Sequence, residues 1–83
     1  MDEILNRVNR AESQISTIKN KLAYRDLRKM LSNIDRVITE MSKESVECRR
    51  IKKDTNKFTE LKQKANDLLD VLEQHITFAA LIS

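Results

Sequence analysis

The stretch 4-ILNRVNRAESQISTIKNKL-22 decides the fold, because its apolar residues alternate in spacing between four and three positions. This is the a/d spacing of a heptad, which places one apolar stripe along a helix that packs against other helices. We therefore predict a first helix over residues 2–22. The stripe consists of Ile4, Val8, Ala11, Ile15, Ile18 and Leu22.

The same spacing predicts two further helices, over residues 27–53 and 56–82. The chain has no glycine and no proline in 83 residues, so we expect few sharp turns. The second stripe is Leu27, Met30, Ile34, Val37, Met41, Cys48 and Ile51, with Glu44 as its one polar position. The third is Phe58, Leu61, Ala65, Leu68, Leu72, His75, Ala79 and Ile82, widened by Leu69 and Ile76.

These patterns predict an all-α fold, a single module over residues 1–83 made of long heptad-patterned helices in a coiled coil or antiparallel bundle. Slips in the heptad at residues 23–26 and 52–57 are compatible with three antiparallel helices or with longer helices that contain skips. A hairpin that turns at residues 42–45 is a third arrangement. A chain of this size buries only about 60% of its unfolded surface, so we favour long helices completed by other chains.

The function most consistent with this pattern is that of a non-catalytic assembly or oligomerisation subunit with homo- or hetero-oligomeric helical partners. Each large aliphatic side chain that becomes fully buried would contribute on the order of 2 kcal/mol. The residues predicted to form the interface are Ile4, Val8, Ile15, Ile18, Leu22, Leu27, Ile34, Val37, Met41, Ile51, Phe58, Leu61, Leu68 and Leu72.

Residue types that act in catalysis or bind metal ions are scarce. We therefore expect that the chain is not an enzyme and that it binds no small-molecule substrate, cofactor or metal. His75 is the only histidine and falls on the third stripe, which favours a packed or edge-lying side chain over a general base. Cys48 is the only cysteine, so no internal disulfide can form and an intracellular location is expected. The closing apolar run after Ile76 is too short to span a bilayer.

A basic cluster near residue 50 suggests a different class of function. Residues 25–57 hold ten bases and six acids, so a helical module that binds nucleic acid or a polyanionic filament is an alternative. The candidate contacts are Arg49, Arg50, Lys52, Lys53 and Lys57. A solvated helix face is the simpler interpretation, because acids interrupt the cluster and no aromatic side chain is present for base stacking. A tethering helix of a vesicle-trafficking complex is a further alternative.

One segment of the chain contains the series Ile15, Ile18, Lys19, Leu22 and Arg25, followed by Leu27, Leu31 and Ile34. This segment resembles the start of the first subunit of the Ska complex, the spindle and kinetochore-associated assembly. A Thr-Asn pair at Thr55 and Asn56, followed by Glu60 and Leu61, is also similar to that subunit. The chain departs from it by joining Asp26 directly to Leu27, where a short loop would be expected. The resemblance implies a helical assembly core formed with sister subunits, a location at the cytoskeleton or kinetochore, and microtubule contact outside this sequence.

Overall fold

The computed structural model describes residues 2–51 and 56–82, and the side chains of residues 3–46 and 56–82. Within these residues the chain forms three helices and no strand. They are α1 (Asp2–Ile15), α2 (Lys21–Ile51) and α3 (Asn56–Ile82). The prediction of an all-α fold is therefore confirmed.

The first helix ends seven residues before the predicted boundary, which corrects the segment 2–22. The Ser16 hydroxyl donates to the Ser13 carbonyl over 2.6 Å, and the Thr17 hydroxyl donates to the Gln14 carbonyl over 2.7 Å. Such hydroxyl groups compete with the helical backbone pattern. Asn20 then caps α2, because its Oδ1 accepts from the backbone amides of Leu22 and Ala23 at 3.0 and 3.2 Å.

The turn at residues 16–20 reverses the chain, so that α1 runs antiparallel to α2 and parallel to α3. Glu12 lies 3.9 Å from Arg28 of α2, and Arg7 lies 2.7 Å from Asp70 of α3. Residues 42–45, where a hairpin was one of the predicted arrangements, lie inside α2. That hairpin is therefore excluded.

An aliphatic core fills the space between the three helices. Every member is less than a tenth exposed. The core residues are Ile4, Val8, Ala11, Ile15, Ile18, Leu27, Leu31, Ile34, Val37, Met41, Ala65, Leu69, Leu72, Ile76 and Ala79.

The helices differ in length, and this gives the molecule its shape of 48 × 18 × 15 Å. At 1.5 Å per residue, α1 is about 21 Å long and α2 about 46 Å. Contacts of α1 with Arg28 and Asp70 place it against the first half of α2 and the second half of α3. At the other end α2 and α3 pair without α1, where Lys57 lies 3.3 Å from Glu44.

Candidate functional site

An apolar groove lies between the start of α2 and the end of α3. Its volume is about 330 Å³, and it is open to solvent. Large side chains around it remain outside the core: Leu22 is 72% exposed, Phe78 64% and Ile82 54%. The residues lining it are Asn20, Leu22, Ala23, Asp26, Leu27, Met30, His75, Phe78, Ala79 and Ile82.

The groove lies on a side of α3 that α1 does not reach. Asn66, Asp70 and Glu73 of α3 contact Arg7 of α1. A helix turns by 100° per residue, so Phe78 and Ile82 project about 130° away from that group. Because α1 is held on the other side, it does not cover these apolar side chains.

Heptad drift explains why this part of α3 is exposed. The predicted third stripe contains Leu61, Leu68, His75 and Ile82 at strict intervals of seven, and a straight α-helix rotates such a series by about 20° per heptad. Leu61 and Leu68 are half-buried, whereas His75 and Ile82 are exposed. His75 lies at the edge of the stripe, one of the two positions predicted for it, and lines the groove, whereas the core contains Ile76.

Three polar side chains line the groove, Asn20, Asp26 and His75, and the last two are ionisable. His75 Nδ1 lies 2.8 Å from the Val71 carbonyl oxygen. Since a carbonyl oxygen can only accept, Nδ1 carries the proton of this bond. His75 is therefore hydrogen-bonded to its own helix through Nδ1.

A basic ridge runs along the solvent-exposed face of α2, on the side away from the core. It consists of exposed lysines and arginines separated by four or seven residues, a spacing that keeps them on one helix face. None of them forms an ion pair with an acidic residue in the described part of the chain, in contrast to Arg7 and Arg28. The ridge is Lys21, Arg25, Lys29, Arg36 and Lys43.

Only Arg25 and Lys29 of the ridge come near the groove, because Met30 is the last α2 residue that lines it and Arg36 and Lys43 lie farther along the helix. Arg25 lies three residues after Leu22, and Lys29 three residues after Asp26, so both stand one helical turn from groove residues. Sequence reasoning placed the basic patch near residue 50 and missed this ridge. Its heptad-like spacing was the signal that could have revealed it.

A second polar group holds α1 in place. The Arg7 side chain is only 23% exposed; its Nε donates to Glu73 over 2.7 Å and its Nη1 to Asn66 over 3.1 Å. Burial lowers the pKa of Arg7, but the hydrogen bonds and negative charges of Asp70 and Glu73 outweigh it and raise the pKa above its ordinary value. This arrangement is structural, because its donors are used within the chain.

Most residues predicted to form an interface lie in the core of this chain. Phe58, Leu61 and Leu68 are half-buried and pack against the core, whereas Leu22 is exposed at the groove. Contact of these residues with another chain stays a prediction. The predicted residues found in the core are Ile4, Val8, Ile15, Ile18, Leu27, Ile34, Val37, Met41 and Leu72.

Several predicted features fall outside the described side chains. They are Cys48, Arg49, Arg50, Ile51, Lys52, Lys53 and Thr55. Of the predicted basic cluster, Lys57 is described, and it forms an ion pair with Glu44. Glu44, predicted as a polar position in the second stripe, is buried.

Across the residues with described positions, no cluster of His, Cys, Asp or Glu is arranged to bind a metal ion. None of the helices, as far as they are described, combines the length and apolar character needed to cross a membrane. The sequence matches no family model, and no curated protein and no solved structure matches it significantly.

Proposed function

We propose that this chain is a non-catalytic helical assembly module that binds a helix of another protein in the groove between α2 and α3. The observation that carries this proposal is the exposure of Leu22, Phe78 and Ile82 around one groove. A grouped apolar surface is typical of an interaction site, whereas scattered apolar residues are not. Recognition of an amphipathic helix by an apolar groove is a common mode of binding.

The groove is suited to this task energetically. Fully burying a large apolar side chain contributes about 1.5–3 kcal/mol. Three such side chains, with the half-buried Met30 beside them, supply several kcal/mol against the cost of association. Phe78 is the largest apolar side chain that lines the groove, so we expect it to be the anchor of the interface.

The resemblance to the first Ska subunit gives this proposal a cellular setting. A module of that kind would assemble with sister helical subunits at the cytoskeleton or kinetochore. The exposed groove supports the assembly role, and the setting depends on the resemblance alone.

The test compares Phe78→Asp with Gln74→Asp. Gln74 lies one turn earlier on α3, is exposed and does not line the groove, so the control adds the same charge outside the site. Each purified chain is measured by light scattering for mass and by circular dichroism for helicity, and each is used to co-purify partners from cell extract. We expect wild type and Gln74→Asp to retain the same partner, and Phe78→Asp to lose it while staying helical. Unchanged assembly of Phe78→Asp would contradict the proposal.

A further inference from the structure

The groove is one half of a longer open surface between α2 and α3. A second cavity, of about 510 Å³, follows it along the same pair of helices. The groove is lined by α2 as far as Met30 and by α3 from His75 onward, and the second cavity is lined by parts of residues 33–40 and 61–68. Because α2 and α3 run in opposite directions, the two cavities lie end to end. We call this combined surface the open face.

The open face lies on the side of the α2–α3 pair that α1 leaves uncovered. A helix turns by 100° per residue, so Lys64, which lines the second cavity, projects about 160° away from Asn66, which contacts Arg7 of α1. Val71 is 43% exposed and lies seven residues from both Lys64 and Phe78, so it faces the same side as they do. The apolar surface therefore continues from one cavity to the other.

The charges along the open face are balanced. Asp26 and Glu40 are its acids, Arg36 and Lys64 are its bases, and His75 adds an imidazole. In each cavity α2 supplies an acid and α3 supplies a basic nitrogen. Within the described residues, neither Glu40 nor Lys64 forms an ion pair. A strongly acidic or strongly basic partner would meet like charges here, whereas a copy of this chain carries the matching arrangement itself.

We infer that a second copy of this chain covers the open face, with α2 of each copy packed against α3 of the other. The inference rests on the proposed function and names the partner, since the helix in the groove then belongs to another molecule of the same protein. A two-fold axis parallel to the helices places each cavity against the same cavity of the other copy. Glu40 then meets Lys64 of the other copy, and Asp26 comes within about one helical turn of His75. Symmetry makes each contact occur twice.

Charge selects this orientation over the other symmetric one. A two-fold axis across the helices would place α2 on α2 of the second copy, centred near Asn33 at the middle of the open face. Asp26 and Glu40 lie seven residues to either side of Asn33, so acids of the two copies would face each other twice. Like charges in contact disfavour that arrangement. The inferred orientation instead gives a bundle of four helices in which neighbours alternate in direction.

The size of the open face suits a weak dimer. Between Leu22 and Glu40, α2 covers about 27 Å at 1.5 Å per residue, and the molecule is 18 Å wide. Two such faces amount to roughly 1,000 Å² of flat area, which is near the lower limit for a specific interface. The exposed Leu22, Phe78 and Ile82 supply apolar contacts from both copies. We therefore expect a reversible dimer that dissociates on dilution.

The experiment measures the mass of the full chain by analytical ultracentrifugation across a dilution series. We expect the wild type to pass from dimer to monomer as it is diluted. Glu40→Lys and Lys64→Glu each place like charges at the inferred contact, so each should weaken the dimer by about tenfold or more. Asp35→Lys and Lys62→Glu are the matched controls, because both positions are exposed and line neither cavity. These controls should leave the dimer unchanged.

A mixture of the two weakened variants gives the decisive comparison. When a Glu40→Lys chain pairs with a Lys64→Glu chain, opposite charges meet at both contacts. We expect the mixture to form a heterodimer as stable as the wild-type dimer, detected by its mass and by retention of the untagged chain on the tagged one. Circular dichroism confirms that each variant is folded.

Three results would overturn the inference. A wild type that stays monomeric at every concentration would exclude the second copy; if Phe78→Asp still loses a partner from cell extract, the proposed function survives with a different protein in the groove. A dimer that Phe78→Asp leaves intact would use another surface. Failure of the two folded variants to associate in the mixture would exclude packing of α2 on α3 of the other copy.

Discussion

At the scale of the residue, Arg7 joins α1 to α3 through one guanidinium group. It bonds Asn66, Asp70 and Glu73, which lie on successive turns of α3. Planar, several-fold hydrogen bonding of this kind is specific to arginine. Because the Arg7 side chain is mostly buried while its carboxylate partners are largely exposed, the group stabilises the fold moderately.

We predict that Arg7→Met lowers the free energy of unfolding by about 1–2 kcal/mol, a range set by hydrogen bonds to charged groups and reduced by solvent screening. Methionine keeps the apolar stem and removes the donors. Urea unfolding measures the change. Arg10→Met is the matched control, because Arg10 is exposed on the same helix, and it should change stability by less than about 0.5 kcal/mol. Equal effects of the two variants would contradict the role of Arg7.

The contribution of Arg7 to the free energy of unfolding depends on pH in a defined direction. The folded-state pKa of Arg7 is raised, so its contribution is complete below the unfolded pKa and is lost only as pH rises through the folded value. Both values lie in the strongly alkaline range. The stability difference between wild type and Arg7→Met should therefore be the same at pH 7 and at about pH 9.5, measured by urea unfolding. A difference that disappears at the higher pH would show that another group is responsible.

At the scale of the element, periodicity predicted the existence and type of the helices but not where α1 ends. Ile18 and Leu22 continue the heptad without a slip, so the spacing carried no sign of the break at residues 16–20. The local polar residues determine it, through the Ser16 and Thr17 hydroxyls and the Asn20 cap. In consequence Ile18 is buried within the turn, whereas Leu22 is exposed and lies at the groove.

The candidate site was less predictable for a similar reason. The sequence showed that Ile82 continues the third stripe, but not that drift of the heptad would turn it away from the core; Phe78 lies outside that stripe. Exposure of this kind depends on which side of α3 the first helix occupies. The turn at residues 16–20 places α1 on that side of α3, and the spacing of the apolar residues does not predict this turn.

We predict that Asn20→Ala destabilises the fold by about 1 kcal/mol, because it removes the acceptor for the first free amides of α2. Asn20→Asp is the control, since aspartate is an equally good N-cap residue, and it should leave stability nearly unchanged. Thermal unfolding followed by circular dichroism measures both. If Asn20→Asp is as unstable as Asn20→Ala, the capping bonds do not hold this boundary.

At the scale of the whole molecule, α1 completes the core and also leaves the groove free. Its buried face and the following Ile18 share one core with aliphatic side chains of the longer helices, such as Ile34 and Leu69. A partner helix in the groove would add to the opposite side of α3 without displacing α1. Under the proposed function, binding and folding would therefore use different surfaces of the same helix.

Because α1 belongs to the core and does not line the groove, a chain that lacks residues 1–19 should lose stability. Its core would lose Ile4, Val8, Ala11, Ile15 and Ile18, and a chain of this length has little stability in reserve. We expect loss of cooperative thermal unfolding, followed by circular dichroism, and restoration when a peptide of residues 1–19 is added. A shortened chain that unfolds at the temperature of the full chain would mean that α2 and α3 are stable alone. Because Phe78→Asp changes only the groove, it should keep cooperative unfolding, and the two variants together separate folding from assembly.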